Sequence, residues 1–235
     1  MVPTTSGQAF AAANAAMVRG DDGASTIHVL LADCMALLGA DAAGVLVRAG
    51  EQGLEMLAAS SHEAAELELY QSQVRAGPCV DAISSGETVA ASGDADLVER
   101  WPEFGRAMAG AGLSSVHAAP MRWHRHVLGG VNLFWRQTRD LTEEEHELAG
   151  AFADICTLAL MQKGADDGAG IAEQMRIALR GRVVIERAKG VLAQTDGLQM
   201  GQAFAHLVEL SRERSEPLAT VAQRVLDDIV SHRHV

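Results

Sequence analysis

Arg182-Val183-Val184-Ile185-Glu186-Arg187-Ala188-Lys189-Gly190-Val191-Leu192 reads as the middle of a long helix. At about 100° per residue, Ile177, Val184, Ala188, Val191 and Leu192 share an apolar stripe. Arg176, Arg180 and Arg187 fall within about 40° of one another on one flank of it. Arg182 and Lys189 form a second basic row on the other flank. Two readings compete for these rows. Their stems can cover the edge of a buried face, or their heads can hold phosphates on two sides of a nucleic-acid loop.

Working outward, the helix is expected over residues 171–194, with Asp196-Gly197 as its stop. A second helix is expected over 199–214, with Ala203, Phe204, Leu207 and Leu210 at helical spacing. A third, over 217–230, carries Leu218, Val221, Ala222, Val225, Leu226 and Ile229, and Pro217 suits its first turn. Residues 171–235 therefore predict a small three-helix bundle, near the lower size limit for an independent core. Upstream, Lys163–Gly170 is built from small and charged residues and predicts a flexible linker.

Residues 26–162 have a different texture. A helix to about Leu38 is expected to be capped by Ser25 or Thr26 and stopped by Gly39. Short apolar runs at 42–48, 54–60, 88–91, 114–121 and 127–136 read as strands, with helices between them at 62–73, 79–85, 94–100 and 102–109. Thr142 with Glu145 makes a capping box that opens a last helix to about Gln162. The order predicts an α+β sandwich, a mostly antiparallel sheet with helices on one face and irregular segments over the other. Residues 1–25 are expected to form a helical extension.

Charge divides the chain at the same place. Residues 1–170 hold 10 Lys and Arg against 23 Asp and Glu; residues 171–235 hold 9 against 8. The net charge of −12 thus lies in the first part, and the bundle is free to present a basic face. No apolar run approaches the roughly 20 residues of a membrane span. The start does not read as a secretory signal, and three widely spaced cysteines fit a reducing cytoplasm better than a disulfide framework.

The segment 172–230 resembles the ANTAR family of transcription antitermination regulators. The resemblance rests on the Ala188-Lys189-Gly190 core within 182–192, on Ala203-Phe204 and Leu207, and on Leu218-Ala219-Thr220-Val221-Ala222. Gln199-Met200-Gly201 departs from the pattern, where members often carry a helix cap and acidic residues. Residues 26–161 look like a GAF domain, from the element order, Gly77-Pro78-Cys79, Ser85-Gly86-Glu87-Thr88-Val89 and Leu128-Gly129-Gly130-Val131-Asn132-Leu133. The resemblance implies a GAF-like sensor fold followed by an all-α, three-helix ANTAR bundle. It implies a signal-responsive antiterminator that binds RNA stem-loops in nascent transcripts, with a small-molecule ligand at the sensor, and the chain is expected to form a homodimer.

Arg180, Arg182, Arg187, Lys189, Arg212 and Arg214 are the expected RNA contacts. Phe204 is the only aromatic residue of the bundle and its spacing says core, so shape and phosphate reading fit better than base stacking. Trp101, Phe104, His117, Val131 and Leu133 are the expected lining of a sensor pocket. Cys79 follows Gly-Pro at a helix start, where a thiolate would be favoured, which makes it a redox candidate beside the plainer reading of a small buried hydrophobe. His117, His124 and His126 lie close in sequence, but no neighbouring cysteine or carboxylate completes a metal set. No metal or cofactor is expected, and nothing selects a haem. No nucleophile elbow, phosphate loop or carboxylate pair points to catalysis.

Two alternatives remain at this level. The chain could be a small-molecule or redox sensor whose bundle only dimerises or docks, or a Cys79-dependent reductase. A DNA-binding reading is weaker, because the third helix is apolar on one side and acidic at Asp227-Asp228.

Overall fold

Short polar side chains set where the first helices begin. The computed structural model describes residues 5–50, 53–162, 164, 167–214 and 216–232. Thr5 accepts a hydrogen bond from the Gln8 amide and opens α1 (Ser6–Arg19). Asp22, rather than Ser25 or Thr26, caps α2 (Gly23–Leu38), accepting from the Ser25 amide at 3.0 Å. Gly39, at φ 62°, ends α2 in the left-handed conformation that favours glycine.

The strands are β1 (Ala42–Ala49), β2 (Gly53–Ala59), β3 (Val89–Ser92), β4 (Ser115–Trp123) and β5 (His126–Trp135). They form one five-stranded sheet in the order β2-β1-β5-β4-β3. Every neighbouring pair is antiparallel. The sequence places a hairpin connection at Gly50-Glu51-Gln52-Gly53, of which Glu51 and Gln52 lie outside the described residues. Between β2 and β4 come α3 (His62–Val74), α4 (Pro78–Ser85), α5 (Asp94–Arg100) and α6 (Pro102–Gly110). After β5 comes α7 (Glu143–Leu160), whose start carries the full capping box of Thr142 and Glu145.

Helices cover both faces of the sheet, so the irregular layer expected on one face is replaced by α3 to α6. One core joins Ile27, Leu30 and Cys34 of α2 and Phe152 and Cys156 of α7 to Val45, Met121, Val131 and Leu133. The other joins Leu67, Leu97, Phe104 and Met108 to Val116 and Phe134. α1 belongs to the first layer, lying on α2 and α7 with Phe10 edge-on to Phe152 at 5.0 Å. Gly23 permits the α2–α7 crossing: a Cβ there would stand 2.7 Å from the Ala159 carbonyl oxygen.

The C-terminal part is α8 (Gly168–Asp196), α9 (Met200–Arg214) and α10 (Leu218–His232). α8 begins where the Asp167 carboxylate accepts from the Gly170 amide at 2.8 Å. Ile185, Ala188, Ala203, Leu207, Val221 and Ala222 make the centre of the bundle. That centre is continuous with the α2–α7 core of the first domain, because α8 packs on α2, β1 and β2.

Candidate nucleic-acid interface

α8 buries a face that differs from the one its apolar residues suggest. Ile171, Met175, Ala178, Ile185, Ala188, Lys189 and Leu192 are buried, and all of them but Ala188 fall at alternating spacings of four and three once Arg182 is placed between them. The second basic row therefore sits in the middle of the buried face, not beside it. Val184 and Val191 are only half-buried, and Val183 is 46% exposed.

Arg182 reaches across to the sheet, where Nη1 donates to the Met56 carbonyl oxygen of β2 at 2.6 Å. Lys189 is 8% exposed, and its Nζ donates to both carboxylate oxygens of Glu186 at 2.8 and 2.9 Å. The same ammonium stands 5.8 Å from the Phe204 ring, whose other neighbour is His28 of α2 at 5.2 Å. His28 is buried. Its Nδ1 lies 2.9 Å from the Ala24 carbonyl oxygen and so must donate. Its Nε2 stands 3.6 Å from Glu186 Oε1, within ion-pair range but beyond a hydrogen bond. Burial pushes the Glu186 carboxyl up, but His28 and Lys189 more than reverse that and hold it at about 2. Glu186 is thus a fixed anion between two domains.

The first basic row has the opposite fate. Arg176, Arg180 and Arg187 are exposed. Arg176 pairs with Glu173, and Arg180 Nη2 stands 3.8 Å from the same carboxylate. Exposed pairs of this kind exchange readily for a phosphate. Arg214 is exposed at the end of α9, and the side chain of Arg212 lies outside the described residues.

The five residues expected to line a sensor pocket do not converge. His117, Val131 and Leu133 face the α2–α7 layer, with Leu133 directly paired to His117 across β4 and β5. Trp101 and Phe104 lie in the core on the opposite side of the sheet. The expectation of one cavity is corrected by strand register, which the spacing of the five residues does not reveal. Trp101 instead donates from its indole to Asp81 at 2.9 Å.

Cys79 is also corrected as a redox candidate. It is fully buried under β5, and burial, followed by the nearby Glu68 carboxylate, pushes its thiol well up. Desolvation outweighs the helix start that suggested a thiolate. Composition hid the group that accompanies it. Glu68 is fully buried, accepts from Asn132 at 2.5 Å and Gln71 at 3.3 Å, and is pushed by burial up to about 8. Of the three histidines, His117 bonds His146 of α7 at 2.9 Å, His124 occupies the turn at φ 52°, and His126 opens β5. Among the described residues, no group of three or more His, Cys, Asp or Glu is placed to hold a metal. No helix among them is long and apolar enough to cross a membrane.

The five-stranded antiparallel sheet with helices on both faces, followed by three further helices, defines a chain of two parts, an α+β domain and a small helical module. The chain belongs to the GAF domain family, whose model matches residues 22–160, and an ANTAR domain follows at residues 173–226. GAF is a sensor domain and ANTAR an RNA-binding module. Among solved structures, the phycocyanobilin-bound GAF domain from a cyanobacterial phytochrome is similar at 16% identity and TM-score 0.53, covering 68% of this chain and 96% of its own. The GAF domain from Acinetobacter phosphoenolpyruvate-protein phosphotransferase is similar at 10% identity and TM-score 0.51, covering 75% and 98%. At these identities the likeness shows the fold. No curated protein matches the chain.

Proposed function

We propose that the chain is a signal-responsive antiterminator. Its ANTAR domain binds RNA stem-loops, and its GAF domain, joined through residues 163–170, controls that binding by holding α8 against the sheet. The observation that carries this reading is the contrast between the two basic rows of α8. Arg176, Arg180 and Arg187 face solvent, while Arg182 and Lys189 are engaged by β2 and Glu186 within the chain. Only one side of a looped RNA can then be gripped until the domains separate. Masking works through a backbone carbonyl and apolar packing, and needs no excess of acidic side chains at the interface.

A shift assay with structured RNA hairpins across a salt series tests the binding. Affinity is expected to fall steeply with salt. Arg180→Gln with Arg187→Gln should lower the slope by about 2, one for each phosphate that is no longer held. A flat salt dependence, or one that the double variant leaves unchanged, would contradict the reading. The alternative, in which the bundle only docks or dimerises, is favoured by the engagement of Arg182 and Lys189 inside the chain. It predicts no hairpin binding at any salt. α1 and α8 pack on α2 and α7, so a homodimer would use faces that those helices leave exposed.

A further inference from the structure

The sensor interior beneath β1 and β5 is occupied by its own side chains. Glu68, Gln71 and Cys79 are each fully buried. They press closely on the backbone. A Cβ at Gly44 would overlap Glu68, and one at Gly77 or Gly130 would meet Gln71 or Cys79 at 2.5 or 2.8 Å. Space for a ligand lies instead where the two domains meet. A cavity of about 650 Å³ opens between α2, the β2–α3 corner and α8–α9. That volume suits a small organic molecule.

Its wall is apolar and adaptable. Leu31 and Met35 come from α2, Met56 from β2, and Met200 and Phe204 from α9. Its Arg, Lys and Glu residues all lie on α8 and carry a positive balance. Arg182 and Lys189 face a single fixed anion, Glu186. The N-terminal turns of α3, at Ser61, and of α9, at Gly201, open into the same space and add positive ends of helix dipoles. One buried polar atom there has no hydrogen-bond partner, His28 Nε2, on a side chain 5% exposed.

We propose that this interdomain cleft binds a small organic anion with an apolar body, an aryl or alkyl carboxylate or sulfonate. The body packs on the methionines and Phe204, and the anionic head meets Arg182 and Lys189. Such a ligand competes with Met56 for Arg182, the contact that ties α8 to the sheet, and with Glu186 for Lys189 within α8. The inference rests on the masking reading for its consequence, but not for the site itself.

The test uses the full chain without RNA, so its failure is distinct from a failure of RNA binding. The fluorescent probe 1-anilinonaphthalene-8-sulfonate is titrated against wild type, Ala36→Trp, Ala32→Trp and Arg182→Gln, with thermal melting by circular dichroism as the check on folding. Ala36 and Ala32 are exposed residues of α2 that line the cavity, so an indole there fills the space without entering a core. One probe per chain is expected, with affinity lowered about tenfold or more by either tryptophan and severalfold by Arg182→Gln. The uncharged analogue N-phenyl-1-naphthylamine should bind about fivefold more weakly or worse. Absence of saturable binding, unchanged affinity in both tryptophan variants, or equal binding of the uncharged analogue would overturn the proposal.

Discussion

Glu68 shows how far a single side chain can depart from what its type suggests. A carboxyl held at about 8 by burial keeps its proton in the folded chain at neutral pH, whereas the unfolded chain releases it above about 4.5. The folded state therefore binds the extra proton between those values, and stability falls as pH rises from about 4.5 to 8. Glu68→Gln should abolish that slope and gain on the order of 3 kcal/mol over wild type at pH 8 relative to pH 5, read from urea unfolding at the two pH values. An unchanged slope would mean that the carboxyl is ionised in place. His117 works in the other direction. Burial, then the neighbouring His146, lowers it from 6.5 to about 4. The unfolded chain takes up a proton below about 6.5 that the folded chain refuses until about 4, so stability falls as pH drops through that window. His117→Phe should remove about 3 kcal/mol of acid sensitivity between pH 7 and 4, and identical acid midpoints for the two proteins would contradict the burial argument.

Elements were legible in the sequence where their signals are local. The Thr142–Glu145 box, the Gly39 stop and the β1 and β5 runs need only neighbours a few residues away, and they fall where those neighbours place them. What failed depended on distant partners. Asp22 took the cap from Ser25, its carboxylate accepting from the Ser25 amide, and the helix so begun carries Gly23 close to Ala159. Val131 and Leu133 fell on the face away from Trp101 because parity along a strand is readable but the covering layer is not. On α8, an apolar count misplaces the buried face, since two of its seven spaced positions are Arg182 and Lys189. The signal was present as the four–three spacing from Ile171 to Leu192, which basic residues disguise. Close approach also explains the glycine pair of β5. A Cβ at Gly129 would overlap the Leu46 carbonyl oxygen and stand 2.9 Å from the Val47 Cα. Gly129→Ala should part β1 from β5 and cost more than about 2 kcal/mol in chemical unfolding, and a neutral effect would contradict the register.

At the scale of the whole molecule, sensor and bundle share one core through α8, so any event that shifts α8 on α2 also alters what the bundle can show to RNA. Gly181 marks the joint. Its ideal Cβ would lie 3.3 Å from Asp22 Oδ1 and 3.6 Å from the Ala24 Cβ. Gly181→Phe forces a ring against Asp22 and Ala24 while favouring the helix itself. It should pry α8 from α2, release Arg182 from Met56 and expose the Lys189–Glu186 pair. The decisive measurement is the dissociation constant of an RNA stem-loop, enriched from transcripts that copurify with the chain, for wild type and Gly181→Phe across a salt series. The account predicts that the variant binds about tenfold or more tightly at 0.15 M salt (roughly the physiological value) and that its salt slope steepens by about 2. Equal affinity and equal slope in the two proteins would contradict it.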